Sequence, residues 1–163
     1  WRSLWAAGQG HGLVAAGYRA IDSLRLEKGY RVWGADVDPG HSPDEAGLGF
    51  CVRLDKPTDF LGREAIARRR LDGVDRTLVC LVLDERDQVA LGNEPVRHDG
   101  EVLGRVTSGG LGYTVGSSIA YVYLPTAVSA DGTRLEVGVF GRWVGATVAR
   151  SPLYDPASAR VRA

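Results

Sequence analysis

The chain has 163 residues, 44% of them apolar and 25% charged, which supplies a hydrophobic core for one domain or a domain plus a fragment. Lys plus Arg and Asp plus Glu both number 20, so a formal charge of zero argues against a strongly basic nucleic-acid binder or a polybasic membrane surface. No apolar run approaches the roughly 18 residues of a membrane helix, and the N-terminus carries no signal-peptide pattern.

Residues 1–73 read as helical and loop-rich, and residues from 74 onward as all-β. Trp1 to Ala7 reads as the end of a helix closed by Gly8. Val14 to Glu27 places Val14, Tyr18, Ile21 and Leu24 or Leu26 at helical spacing, and Lys28 followed by Gly29 marks the exit. Tyr30 to Trp33 is a short aromatic stretch. The loop Asp36-Val-Asp-Pro-Gly-His41 resembles the start of a calcium loop but lacks the later ligands, so a turn with solvated carboxylates is expected. Ser42-Pro43-Asp44-Glu45 has the form of a capping box, with Ser42 as N-cap, and Gly47 limits that helix to about one turn. Phe50 to Leu54 alternates like a strand. Arg63 to Leu71 reads as a helix closed by Gly73, with Arg68, Arg69 and Arg70 on a solvated face.

Beyond residue 74, strand-like runs recur between turns. Thr77 to Leu83 is continuously apolar, the pattern of a strand buried on both faces. Asp99-Gly100 separates Pro95–His98 from Glu101–Thr107 and is a strong hairpin signal. Ser118 to Leu124, Thr133 to Phe140 and Trp143 to Ala149 complete five or six short strands without an intervening long helix. The expected class is α+β, with a small antiparallel β-barrel of about six strands in its second part. The tail from Pro156 to Ala163 reads as loose.

Other motifs argue against several chemistries. Gly8-Gln-Gly-His-Gly12 follows no strand and lacks the Lys-Ser/Thr ending of a phosphate loop. His11, His41 and His98 have no metal-ligand spacing, and Cys51 and Cys80 lie in apolar runs and read as reduced core residues. No Gly-x-Ser-x-Gly elbow occurs. Methionine is absent even at position 1, so a piece of a longer polypeptide is expected. Glu27 leaves two readings open. It can be a surface carboxylate paired with Arg25 or Lys28. The alternative is a carboxylate that grips a flat nitrogen heterocycle, whose amino group and ring N–H would meet both carboxylate oxygens.

Gly17-Tyr-Arg-Ala-Ile-Asp-Ser-Leu-Arg-Leu-Glu-Lys-Gly-Tyr-Arg-Val-Trp-Gly-Ala-Asp36 resembles the tetrahydrofolate-binding aminomethyltransferase family, whose founding member is the glycine cleavage T-protein. Pro43-Asp-Glu-Ala-Gly-Leu48, Asp59-Phe-Leu-Gly-Arg-Glu-Ala65 and Gly104-Arg-Val-Thr-Ser-Gly109 carry the same resemblance. Gly110-Leu-Gly-Tyr-Thr-Val-Gly-Ser-Ser-Ile-Ala120 and Ser151-Pro-Leu-Tyr-Asp-Pro156 are similar to the branch that forms the C-terminal part of dimethylglycine and sarcosine dehydrogenases. The resemblance implies two units: residues 1–73 as the end of a folate-binding domain, and 74–163 as a C-terminal barrel. It also implies capture, on tetrahydrofolate, of a one-carbon unit released from a demethylated amine, with FAD on a separate domain of the parent.

By the same resemblance Glu27 binds the pterin. Lys56 matches a basic substrate-contacting position that is commonly Arg, and Tyr30 and Trp33 line the same stretch, where they can pack either near the pterin or into the core. The family's catalytic aspartate has no counterpart in this chain, and no metal is implied. The partners implied are an amine-derived one-carbon donor and the N-terminal domains of the parent, with neither nucleic acid nor membrane, in a cytoplasmic setting. A stand-alone aminomethyltransferase and a noncatalytic interaction module on the same scaffold are the alternatives.

Overall fold

The computed structural model describes residues 1–160 and 162. The helical half holds α1 (Arg2–Gly8), a 3-10 turn at Gln9–His11, α2 (Tyr18–Lys28), a 3-10 turn at Gly49–Cys51 and α3 (Arg63–Asp72). Six strands follow: β1 (Arg76–Leu83), β2 (Pro95–His98), β3 (Glu101–Gly112), β4 (Ser117–Pro125), β5 (Arg134–Val139) and β6 (Arg142–Ala149). They close into an antiparallel barrel in the order β1-β4-β3-β2-β5-β6. The expected six-strand barrel is therefore present, and the helical content between its strands is one short 3-10 turn, Thr126–Val128. Asp99 and Gly100 turn β2 into β3 with φ of 48° and 84°, the paired left-handed conformation that a two-residue hairpin demands.

Strand alternation explains the continuous apolar runs of β1 and β4. Val79, Leu81 and Leu83 of β1, with Ala120, Val122 and Leu124 of β4, fill the barrel interior beside Val96, Val137 and Val144. The alternate residues Leu78, Cys80, Ile119, Tyr121 and Tyr123 point outward, yet they are buried beneath the helical half around Leu26. Two faces of one sheet thus belong to two cores, so both parities must be apolar.

Several expectations need correction. The helix expected from Val14 begins at Tyr18, because Gly17 is extended (ψ 152°) and breaks the turn. Its expected apolar stripe points to solvent: Tyr18, Ile21 and Leu24 are exposed, whereas Ser23, Leu26 and Glu27 are buried against the barrel. Phe50 to Leu54 is not a strand. Bonds from Cys51 N to Leu48 O and from Val52 N to Gly49 O close local turns instead. A closed barrel offers no free edge for this segment to join. Phe50 and Cys51 are consequently exposed, so Cys51 is not a core residue. Cys80 is one, and burial pushes its thiol up to about 11, leaving it protonated and inert at neutral pH.

The capping box forms without propagating a helix: Ser42 N donates to Glu45 Oε2 at 2.8 Å, and Glu45 N donates to Ser42 Oγ at 3.3 Å. Arg69 and Arg70 are not simply solvated. Arg69 reaches Glu45 at 3.1 Å, and Arg70 binds Asp44 and the Gly49 carbonyl. The tail is tied down as far as Ser158, since Lys28 Nζ donates to Asp155 O (2.6 Å) and Ser158 Oγ (3.2 Å). Val161 and Ala163, part of the expected loose tail, lie outside the described residues.

Candidate functional site

Helix α2 lies on the C-terminal half of β3, and glycines make that approach possible. A Cβ on Gly110 would sit 2.9 Å from Leu26 Cδ1. One on Gly112 would sit 3.0 Å from Glu27 Cγ and 2.7 Å from both Val115 Cγ2 and Ile119 Cδ1. Stripped of side chains, the strand admits the helix to backbone contact. Ser23 and Glu27, four residues apart on one helical face, then meet the connection between β3 and β4. Ser23 Oγ donates to Leu111 O at 2.7 Å and accepts from Tyr113 N at 3.4 Å. Glu27 Oε1 accepts from Thr114 N at 2.6 Å and Val115 N at 3.0 Å.

Glu27 is 1% exposed, so it is not a surface carboxylate. Nor do Arg25 or Lys28 pair with it: Arg25 binds Asp36 and Lys28 binds Asp155. Oε2 receives no hydrogen bond from the described residues. The sealed, unpartnered side-chain atoms among those residues are Arg25 Nε and Ser118 Oγ, so Oε2 still reaches the surface. A nearly covered carboxylate with one idle oxygen calls for a donor.

Asp36 is the second carboxylate at this junction. At 1% exposure it is buried, not solvated as the loop composition led us to expect. Oδ2 accepts from Arg25 (2.8 Å) and Val32 N (3.0 Å), and Oδ1 accepts from Thr107 Oγ1 (2.6 Å) and Ser108 Oγ (2.5 Å). Its carbonyl accepts from Tyr123 OH at 2.9 Å. Every acceptor position is filled, so Asp36 fastens the loop to the barrel and has no capacity left for a ligand.

The remaining candidates do not converge on Glu27. Tyr30 is exposed on a cleft of about 610 Å³ bordered by Lys28, Arg31, Phe50, Ser151 and Pro152. Trp33 is 72% exposed. Lys56 is exposed on its loop, with Nζ 4.3 Å from the centre of the Phe60 ring. A second cleft, of about 710 Å³, lies between the 34–41 loop and the barrel and includes His41, Arg76, Arg105 and Tyr123. Neither cleft is lined by Glu27, Trp33 or Lys56. Sequence reasoning missed Ser23, Asp36 and the Thr114–Val115 amides. The Ser23/Glu27 spacing and the run Gly109-Gly-Leu-Gly112 were the available signals, since together they place a polar helix face on bare backbone.

A helical segment docked through buried carboxylates onto a closed six-strand antiparallel barrel defines the architectural class. Residues 76–155 match the family model described as the glycine cleavage T-protein C-terminal barrel domain, and residues 1–56 match the GCVT N-terminal domain. The chain belongs to the glycine cleavage T-protein, or aminomethyltransferase, family. It is 38% identical to mouse mitochondrial dimethylglycine dehydrogenase over 161 residues, covering 98% of this chain and 18% of that protein. It is 48% identical to mouse mitochondrial sarcosine dehydrogenase over 124 residues, covering 76% of this chain and 13% of that one. The crystal structure of glycine cleavage system aminomethyltransferase T from Bartonella henselae superposes with a TM-score of 0.80 at 30% identity, covering 86% of this chain and 39% of that one. The chain thus spans less than half the length of each of these proteins. Among the described residues, no helix is long and apolar enough to cross a membrane.

Proposed function

We propose that this chain is the C-terminal, folate-contacting part of a one-carbon-transferring enzyme, with residues 1–73 contributing to the ligand site and 74–163 forming the barrel that braces it. The observation that carries the proposal is Glu27: a carboxylate 1% exposed, in a Leu-Arg-Leu-Glu segment, with Oε2 free of any bond to the described residues. Reduced folate fits that demand, because its pterin edge presents an amino group beside a ring N–H. Oε1 is already filled by two turn amides, so the edge meets Oε2 and its two lone pairs alone, and not both oxygens as the sequence led us to expect. When bound, tetrahydrofolate supplies the nucleophilic nitrogens that take up a one-carbon unit.

This chain's own part is to hold a carboxylate acceptor at a fixed place in a nearly dry environment, where a hydrogen bond to it is strong. In this reading Tyr30 and Trp33, both exposed, offer aromatic surface beside the ligand, and Lys56 offers a cation toward its donor. The amine-derived one-carbon donor, an FAD-bearing domain elsewhere in a longer polypeptide and a cytoplasmic location belong to the same proposal. Two relatives are mitochondrial by name.

The test is a titration of 5-formyltetrahydrofolate followed by NMR on the 163-residue chain. Saturable shifts are expected on α2 and at Thr114 and Val115. Glu27→Gln keeps a carbonyl for the turn but turns an amide donor toward the pterin's donors. Affinity should fall roughly ten- to a hundredfold, the worth of a charge-assisted bond of about 1.5–3 kcal/mol. Equal affinity for both proteins would remove the folate reading. The noncatalytic scaffold would then account for Glu27 as a brace of the turn.

A further inference from the structure

We infer that Ser23 and the 113–116 turn between β3 and β4 are a positioning device, by which the barrel sets the direction of the Glu27 carboxylate. The inference rests on the proposed function for the identity of the ligand. The device itself is argued from the geometry of the turn.

A glutamate side chain has three rotatable bonds, and an acceptor free to rotate about them would lose rotamer entropy on binding. Here that freedom is removed before any ligand arrives. The amides of Thr114 and Val115 both donate to Oε1, at 2.6 and 3.0 Å. Two donors converging on one oxygen fix that atom, and the planarity of the carboxylate then fixes Oε2 on the opposite side.

The turn that supplies those donors is itself pinned. Gly116 N donates to Gly112 O at 2.8 Å, and Ser23 Oγ binds Leu111 O and Tyr113 N. Ser23 sits one helical turn before Glu27, so a single helix face both grips the turn and is gripped by it. Gly112 completes the arrangement, because any Cβ there would crowd Val115, Ile119 and Glu27 together. Thr114 and Val115 lie 87 and 88 residues beyond Glu27 in sequence, which makes ligand recognition depend on an intact barrel. Ser23 and the turn amides touch Glu27 or one another, so they act through it and are positioning groups, not catalytic ones.

The experiment combines amide hydrogen exchange with the 5-formyltetrahydrofolate titration on the same chain. Glu27→Ala should speed exchange at Thr114 and Val115, while Glu27→Gln, which keeps an oxygen there, should preserve most of their protection. Ser23→Ala, with Glu27 intact, should loosen the same two amides and weaken folate about three- to tenfold, the worth of one ordinary hydrogen bond. Ser23→Thr, which keeps the hydroxyl, should restore both readouts. Unchanged exchange at Thr114 and Val115 in Glu27→Ala overturns the device. So does a Ser23→Ala protein that melts earlier yet binds folate as tightly as the parent, because Ser23 would then be structural only. If instead exchange responds as expected but Glu27→Gln binds folate normally, the device stands and the folate reading falls.

Discussion

Glu45 shows how a capping residue becomes a junction. Its side chain is one-tenth exposed and accepts from Ser42 N and Oγ, from Arg69 at 3.1 Å and from Arg76 at 2.9 Å. Burial pushes its pKa up, but the Ser42 bonds and the Arg76 guanidinium outweigh it and hold the carboxyl near about 2, against an ordinary 4.5. A depressed folded-state pKa stabilises the fold above the unfolded value, and that contribution is lost as pH falls through the folded value. Glu45→Gln should therefore cost about 1–3 kcal/mol at neutral pH, discounted for the partly exposed arginines. Urea unfolding at a series of pH values checks this. The gap between parent and variant should stay level above the ordinary carboxylate range and narrow as pH is lowered toward 2. A gap that persists undiminished at low pH would assign the effect to packing. The Ser42–Glu45 pair itself was legible in the sequence, because capping is local. The arginines that share Glu45 were not, because they come from α3 and β1, 24 and 31 residues away.

At the scale of elements, the barrel was the most legible part, because hairpin turns and period-two alternation are local consequences of strand geometry. The helix α2 misled in its orientation. Helical spacing identified a real apolar stripe at Tyr18, Ile21 and Leu24, but the barrel-facing side is Ser23, Leu26 and Glu27, chosen by glycines that lie far along the chain. The glycines of the 109–112 run do not all face that helix, and the difference can be measured. A methyl on Gly109 would collide with the Ala90 carbonyl, backbone that cannot step aside. A methyl on Gly110 would meet only the Leu26 Cδ1 atom at 2.9 Å, the tip of a side chain that can rotate. Neither glycine has positive φ, so the contrast is steric. Gly109→Ala should cost about 1–3 kcal/mol and Gly110→Ala less than about 1 kcal/mol. Thermal or urea unfolding of the two variants decides it, and equal losses would mean that Leu26 is as rigidly held as the Ala90 backbone.

At the scale of the molecule, the two halves treat apolar surface in opposite ways. The barrel seals Val96, Val122, Val137 and Val144 inside, while the helical half leaves Trp1 and Leu4 at α1, Val14, and Tyr18, Ile21 and Leu24 of α2 exposed. Trp1 and Trp5 stack on each other at 5.6 Å but cover little of this surface. Exposed large apolar side chains of this number promote contact with whatever can cover them. With only the 163-residue chain in solution, the available cover is another copy. Sedimentation velocity should therefore show an average mass that rises with concentration and survives high salt, since burial of apolar surface is not screened by ions. The paired change Ile21→Glu and Leu24→Glu should hold the chain monomeric while leaving its melting temperature close to the parent's, because both side chains point away from the barrel. A double variant that still associates would locate the contact elsewhere. A large drop in its melting temperature would mean instead that these residues support the fold of α2 itself.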